Sequence, residues 1–240
     1  MNILVTGGAS GVGEAITRRL AGDAANTVWF SYCKSASKAD ELERAFPNAH
    51  AVRCDFKQAA DMTDLLKKMD EIDLDALVNN AIAAPIAKSH FHKTPMDVFR
   101  RGFAENLLPT IEITQKAISR FRKRNGGRIV TLLTATLVGK PPAGYAEYTA
   151  AKAYLHSLAK SWASENAAFG ITSNCISPAY MATQLTSDTD DRIVQAMVSQ
   201  HPLKQLLTPA EVAEAAEFYL NSPAQINGTN LIINAASEML

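Results

Sequence analysis

Tyr148 and Lys152 stand four residues apart in a segment, Gly144 to Phe169, that is rich in alanine and has no internal glycine or proline. A helix places such a pair on one face, one turn apart. An ammonium beside a phenol favours the phenolate, so Lys152 is expected to lower the pKa of Tyr148 and make it a usable proton donor and acceptor. Tyrosine and lysine at this spacing also decorate solvated helix faces, so the pair gains meaning only from what the rest of the chain supplies. The stretch Thr6-Gly-Gly-Ala-Ser-Gly-Val-Gly13 supplies a second element. Gly7, Gly11 and Gly13 permit a tight turn and close backbone approach, and the helix predicted to follow points free N–H groups at the turn, which suits a pyrophosphate.

Other positions extend that reading. The second predicted strand ends Ser31-Tyr-Cys-Lys-Ser35, with no carboxylate to hold a ribose 2′-hydroxyl. Ser31, Lys34 and Ser35 could instead contact a 2′-phosphate, which favours NADPH over NADH without excluding NADH. Asp55, after the third strand, is placed to meet the adenine or to cap a helix. Asn79 and Asn80 close the fourth strand, where they can tie neighbouring strands or line the cleft. Pro109 removes the N–H that would bond the carbonyl of Glu105, so a kink beside Asn106 is expected, with backbone acceptors able to hold a water. Thr134 and Thr136 put two hydroxyls at the end of the fifth strand, just before the Tyr148 helix.

These residues need a scaffold. Apolar runs of strand length occur at Asn2–Thr6, Thr27–Ser31, Ala49–Arg53, Leu74–Val78, Arg128–Leu133, Thr172–Ile176 and Asn230–Ile233. Helical patterns begin near Gly11, Ser37, Gln58, Thr94, Tyr145 and Pro209. Strand–helix alternation with continuously apolar strands predicts a parallel sheet covered on both faces, an α/β doubly wound fold. No linker or repeat divides the chain, so residues 1–240 are read as one domain. The stretch 184–201, with Ile193, Val194, Met197 and Val198 at helical spacing, is read as a substrate lid. Thr208-Pro-Ala-Glu211 combines a capping box with a proline at the first helical position.

The chain has 240 residues, 47% apolar and 20% charged, with 24 Lys plus Arg against 24 Asp plus Glu. Zero net charge gives no support for a nucleic-acid or anionic-membrane partner. Cys33, Cys54 and Cys175 are scattered and make no metal-ligand spacing, so they read as buried, reduced thiols and no metal is expected. The N-terminus lacks a basic leader, and no apolar run is long enough to span a bilayer. A cytoplasmic protein is expected.

In their joint order, Thr6–Gly13, Asn79-Asn-Ala81, Asn106, Tyr148 with Lys152, Ser177-Pro178 with Thr183, and Pro202-Leu203 ahead of Thr208 resemble the short-chain dehydrogenases/reductases across essentially the whole chain. The resemblance implies a seven-stranded Rossmann-type sheet, an NAD(P) cofactor, a small carbonyl or alcohol substrate, and a homodimer or homotetramer built through the long helices. It implies that Tyr148 is the acid/base, that Lys152 tunes it and binds the nicotinamide ribose, and that Asn106 holds a relay water. Cofactor contacts are implied for Gly7, Ser10, Gly11, Val12, Gly13, Ser31, Tyr32, Lys34, Asp55, Phe56, Asn80, Ala81, Tyr148, Lys152, Pro178, Met181 and Thr183. Four positions depart from the family pattern. Thr134 takes the place of the usual serine, Ile82 and Ala179 replace glycines, and Asn234-Ala-Ala replaces Asp-Gly-Gly. The departures leave a second reading open, a nucleotide-binding or regulatory protein with weakened catalysis.

Overall fold

A computed structural model describes residues 1–239. Seven strands form one wholly parallel sheet: β1 (Asn2–Val5), β2 (Thr27–Tyr32), β3 (Ala49–Arg53), β4 (Ala76–Asn79), β5 (Gly127–Leu132), β6 (Ile171–Pro178) and β7 (Asn230–Ile233). Their order is β3-β2-β1-β4-β5-β6-β7, so the winding reverses between β1 and β4, and Val5 is flanked by Phe30 and Val78. In such sheets ligands bind outside the carboxyl ends of the strands at the reversal. All seven expected strands are present, with ends shifted by one or two residues except at β3 and β7, which coincide.

Side-chain alternation explains why the strands read as unbroken apolar runs. Ile3 and Val5 point to one face and Leu4 to the other, and all three are fully buried. The first face is covered by α1 (Gly11–Ala21), α2 (Ala36–Ala45) and α8 (Pro209–Asn221), which bring Ile16, Leu20, Leu42, Val212 and Leu220. The second carries α3 (Ala59–Glu71), α5 (Leu108–Arg124) and α6 (Ala146–Asn166), with Leu65, Ile113, Phe121 and Trp162. Truncating a fully buried Phe such as Phe30 or Phe121 costs about 3–5 kcal/mol, whereas an exposed ion pair such as Lys38–Glu41 is worth roughly 0–1. The two cores therefore hold the fold.

Two local expectations meet their physical counterparts. Thr208 Oγ1 accepts from the Glu211 N–H at 3.3 Å while the Glu211 carboxylate accepts from the Thr208 N–H at 2.8 Å, the reciprocal cap that starts α8. Around Pro109 the helix does not break. α4 (Met96–Gly102) continues into α5 through a π-helical turn, Phe103–Leu107, in which the Leu108 N–H reaches back five residues to the Phe103 carbonyl. One residue is looped into the helix where proline cannot donate. The cysteine reading needs correction: Cys54 and Cys175 are buried, but Cys33 is exposed because it follows β2 at the rim of the sheet.

After β7 the chain turns through two consecutive alanines in left-handed backbone, Ala235 at φ 50° and Ala236 at φ 58°. This is the conformation glycine adopts freely and a Cβ penalises. Ala235→Gly and Ala236→Gly are each expected to raise unfolding free energy by roughly 0.5–1 kcal/mol, read as a higher denaturant midpoint. A lower midpoint for both would show that the turn carries no strain.

Candidate active site

The residues singled out above converge at the carboxyl ends of the strands. A hydrogen-bonded knot sets the floor of the crevice at the β1/β4 reversal. Thr6 Oγ1 accepts from the N–H groups of Asn80 (2.9 Å) and Ala81 (3.1 Å), and Asn80 Nδ2 donates to the carbonyls of Thr6 (2.9 Å) and Gly7 (3.2 Å). Asn79 points the other way, donating to Thr114 Oγ1 of α5 at 2.9 Å. Of the two roles open to these asparagines, tying elements together is the one the geometry displays. Thr6 is a participant that the sequence reading left unassigned; its one visible signal was a hydroxyl residue directly before the glycine turn.

The turn itself fits a dinucleotide. Gly7 sits at φ +65°, and a Cβ on Gly13 would lie 2.1 Å from the Gly7 carbonyl oxygen, so only glycine closes the turn. Ser10 precedes α1 without making a side-chain cap, which leaves the first N–H groups of that helix free for phosphate oxygens. Val12 is half-buried against the first core, and Thr183 stands over the turn, 3.7 Å from where a Gly11 Cβ would be. Lys34 is exposed and, among the described residues, forms no ion pair. Asp55 closes its own turn by accepting from the Lys57 N–H at 3.0 Å.

Three expected cofactor contacts need revision. Ser31 is 1% exposed; its hydroxyl accepts from the Gly7 N–H (3.0 Å) and its carbonyl from the Gly8 N–H (2.8 Å), so it braces the turn and cannot meet a phosphate. Phe56 and Met181 are each 8% exposed and pack into the second and first cores. Their side chains serve chiefly as core packing. Tyr32 is half-buried beside the first core, and Pro178 is buried as the last residue of β6. Ala179 donates its N–H to the Ile233 carbonyl at 2.9 Å and is absent from the left-handed residues, so this replacement of glycine introduces no backbone strain.

Tyr148 and Lys152 lie on the inward face of α6. The Thr134 hydroxyl, at the carboxyl end of β5, faces the Tyr148 phenol and favours its ionised form. Thr136 is turned away onto Thr149 at 3.2 Å. The electrostatics differ from the simple pair picture. Burial pushes the Tyr148 phenol up to about 12, and the Lys152 ammonium does not counter it. Lys152 donates at 2.6 Å to the Leu132 carbonyl and lies 6.0 Å from the Tyr148 ring centroid. Burial lowers its own pKa to about 8. The expected depression of the tyrosine is therefore not built into the protein alone.

Asn106 occupies the π turn, but its acceptors are engaged. Its Oδ1 accepts from the N–H groups of Ala83 (2.8 Å) and Ala84 (3.0 Å), and its carbonyl accepts from Thr110 Oγ1 at 2.8 Å. Asn106 thus staples the loop after β4 to the helix. A cavity of about 20 Å³, the size of one water, lies between Asn106, Tyr148, Lys152 and Ile82. Glu147 reaches the same cavity, and burial raises its pKa. Among the described residues there is no cluster of three potential metal ligands and no helix long and apolar enough to cross a membrane.

Between about pH 8 and the ordinary lysine value of 10.5, the unfolded chain holds a proton that folded Lys152 has released, so this residue makes stability rise with pH across that window. Below pH 8 it opposes folding by roughly 3 kcal/mol at most. Lys152→Met is expected to raise the unfolding free energy at pH 7 by about 1–2 kcal/mol once the lost bond to Leu132 is counted, read as a higher thermal midpoint. The advantage should fade by about pH 10.5. A difference from wild type that stays flat between pH 7 and 10.5 would show that the ammonium is not desolvated.

Residues 7–235 match the family model described as enoyl-(acyl carrier protein) reductase. The chain is 29% identical to L-fucose dehydrogenase of Bos taurus over 246 residues, covering 99% of this chain and 89% of that protein. A putative gluconate dehydrogenase from Agrobacterium tumefaciens superposes with a TM-score of 0.89 at 26% identity, covering 100% of this chain and 96% of the other. A solved short-chain dehydrogenase/reductase family protein gives 0.85 at 26% identity, covering 98% and 96%. With a parallel seven-stranded sheet, a glycine turn at its reversal and a tyrosine–lysine helix beside it, the chain belongs to the short-chain dehydrogenase/reductase family of NAD(P)-dependent oxidoreductases.

Proposed function

We propose that this protein is an NADPH-preferring reductase of a small carbonyl compound, with Tyr148 as the proton donor. The observation that carries the reading is the Tyr148 phenol facing the Thr134 hydroxyl just beyond the carboxyl end of β5, with Asn106 and Lys152 lining a water-sized cavity beside the phenol. The nicotinamide cofactor, when bound, supplies the hydride. Gly7, Gly13 and the free N-terminus of α1 would hold its pyrophosphate, and Lys34 would meet its 2′-phosphate. Asn80 keeps the turn in shape from behind.

The protein's own groups handle the oxygen of the substrate. Thr134 donates a hydrogen bond to it, and Tyr148 delivers a proton as charge develops there. A phenol held at about 12 is fully protonated at neutral pH, which suits an acid in the reducing direction and makes it a poor base for the reverse reaction. Lys152 stays anchored to Leu132 and positions the ribose side of the site. The stretch 184–201 acts as a lid: α7 (Asp191–Gln200) lies within it and has no buried residue, so it is held by few contacts and can yield. The exposed Phe103, Leu108 and Tyr154 offer an apolar face for a second copy of the chain. The named substrates of the similar proteins differ from one another, so the reading stops at a carbonyl or the corresponding secondary alcohol.

A screen of carbonyl compounds that follows NADPH oxidation tests this. Tyr148→Phe should lower kcat about 10²–10⁴-fold. Thr134→Ser should retain activity, and Thr134→Val should lose most of it. Tight NADPH binding without turnover of any compound would favour the weakened, regulatory reading. For the cofactor, Lys34→Glu should reverse the preference towards NADH. Equal binding of NADH and NADPH by the unaltered protein would remove the role given to Lys34.

A further inference from the structure

One charged contact crosses the mouth of the site. Lys88, in the loop between β4 and α4, pairs with Asp188 in the lid, one hundred residues later. The two partners are not equivalent. The Lys88 side chain is 31% exposed and Asp188 is 68% exposed, so the cation belongs to the wall and the carboxylate lies outside it. The wall is firm: Ala83 and Ala84 are bonded to Asn106, the Ser89 N–H donates to the Gly144 carbonyl at 3.2 Å, and Thr94 Oγ1 donates to the Ser89 carbonyl at 3.1 Å. Lys88 also meets the Tyr145 hydroxyl, and the Tyr145 ring packs edge-on against Tyr148 with centroids 6.2 Å apart. The ammonium therefore stands one aromatic side chain away from the proton donor.

We propose that Lys88 anchors a carboxylate of the substrate, remote from the reacting carbonyl, and that this carboxylate takes the place of Asp188. Among the described residues Asp188 is the one salt-bridge partner of Lys88. Exposed ion pairs of this kind hold weakly, and the lid that carries Asp188 buries nothing through α7. A substrate carboxylate entering the cleft exchanges one anion for another on a fixed cation, so no uncompensated charge is left in the wall. Asp188 is then free to move out with the lid. Asp190 does not compete, since it caps α7 by accepting from the Arg192 N–H at 2.8 Å. This assignment rests on the carbonyl-reduction reading and specifies its substrate class as oxo-acids or hydroxy-acids.

The test uses 5-oxohexanoate and 5-oxohexanamide, alike in shape and different in charge. Binding to the full chain with and without NADP+ is read by ligand-observed NMR, which needs no turnover. The carboxylate should bind about tenfold more tightly than the amide. Lys88→Met should abolish that preference, Lys88→Arg should keep it, and Asp188→Asn should strengthen carboxylate binding by freeing the lysine. Equal binding of the two probes, a preference that survives Lys88→Met, or no gain in Asp188→Asn overturns the proposal. A preserved carboxylate preference with no NADPH oxidation by any carbonyl compound would overturn the reductase reading and leave the anchor standing.

Discussion

The hydroxyl of Thr6 and the amide of Asn80 determine whether there is a site at all. Strands β1 and β4 send their chains in opposite directions at the reversal of the sheet, and this divergence opens a crevice that nothing apolar can close. The knot holds that crevice at a fixed width, because each strand end satisfies polar groups belonging to the other. Ser31 adds the end of β2 through the Gly7 N–H. The glycine turn is thus shaped by protein alone, in a place where an unpaired buried amide would be costly. Each later contact, from the turn to the tyrosine helix, is measured from this fixed edge.

The helix across the crevice is deformed in a complementary way. Pro109 cannot donate, so the backbone ahead of it winds into a π turn, and that extra residue carries Asn106 to the loop after β4. The same loop leads on to Lys88. A backbone irregularity in α4–α5 is thereby connected to the charge at the mouth of the cleft through only two hydrogen bonds and a few residues of chain. The expectation of a kink was sound in its cause, the missing N–H, and inaccurate in its form, because a helix can absorb the defect by widening.

The strands are legible in the sequence because the central ones are buried on both faces, which leaves an unbroken apolar run such as Ile3-Leu4-Val5. The glycine turn and the Tyr148–Lys152 spacing are legible because each depends on residues close together in the chain. Burial of single polar groups is not. Ser31 looks like a phosphate ligand until the Gly7–Gly8 turn is seen to engage it, and Lys152 looks like a cation beside a phenol until the Leu132 carbonyl is seen to hold it. The Lys88–Asp188 contact joins segments a hundred residues apart and leaves no periodic trace.

The two faces of the sheet are assembled from different spans of chain. The core under α3, α5 and α6 draws on residues between Leu4 and Cys175. The core under α1 needs Val212, Ala216 and Leu220, with Arg19 reaching Glu217 at 2.8 Å. During vectorial synthesis the face carrying the tyrosine helix can condense while the last segment is still being made. The face behind the nucleotide turn must wait for α8 to leave the ribosome, since contacts separated by nearly the whole chain form last. Until then the side of α1 that packs on α8 lies uncovered, which leaves that helix open to misassociation and to chaperones.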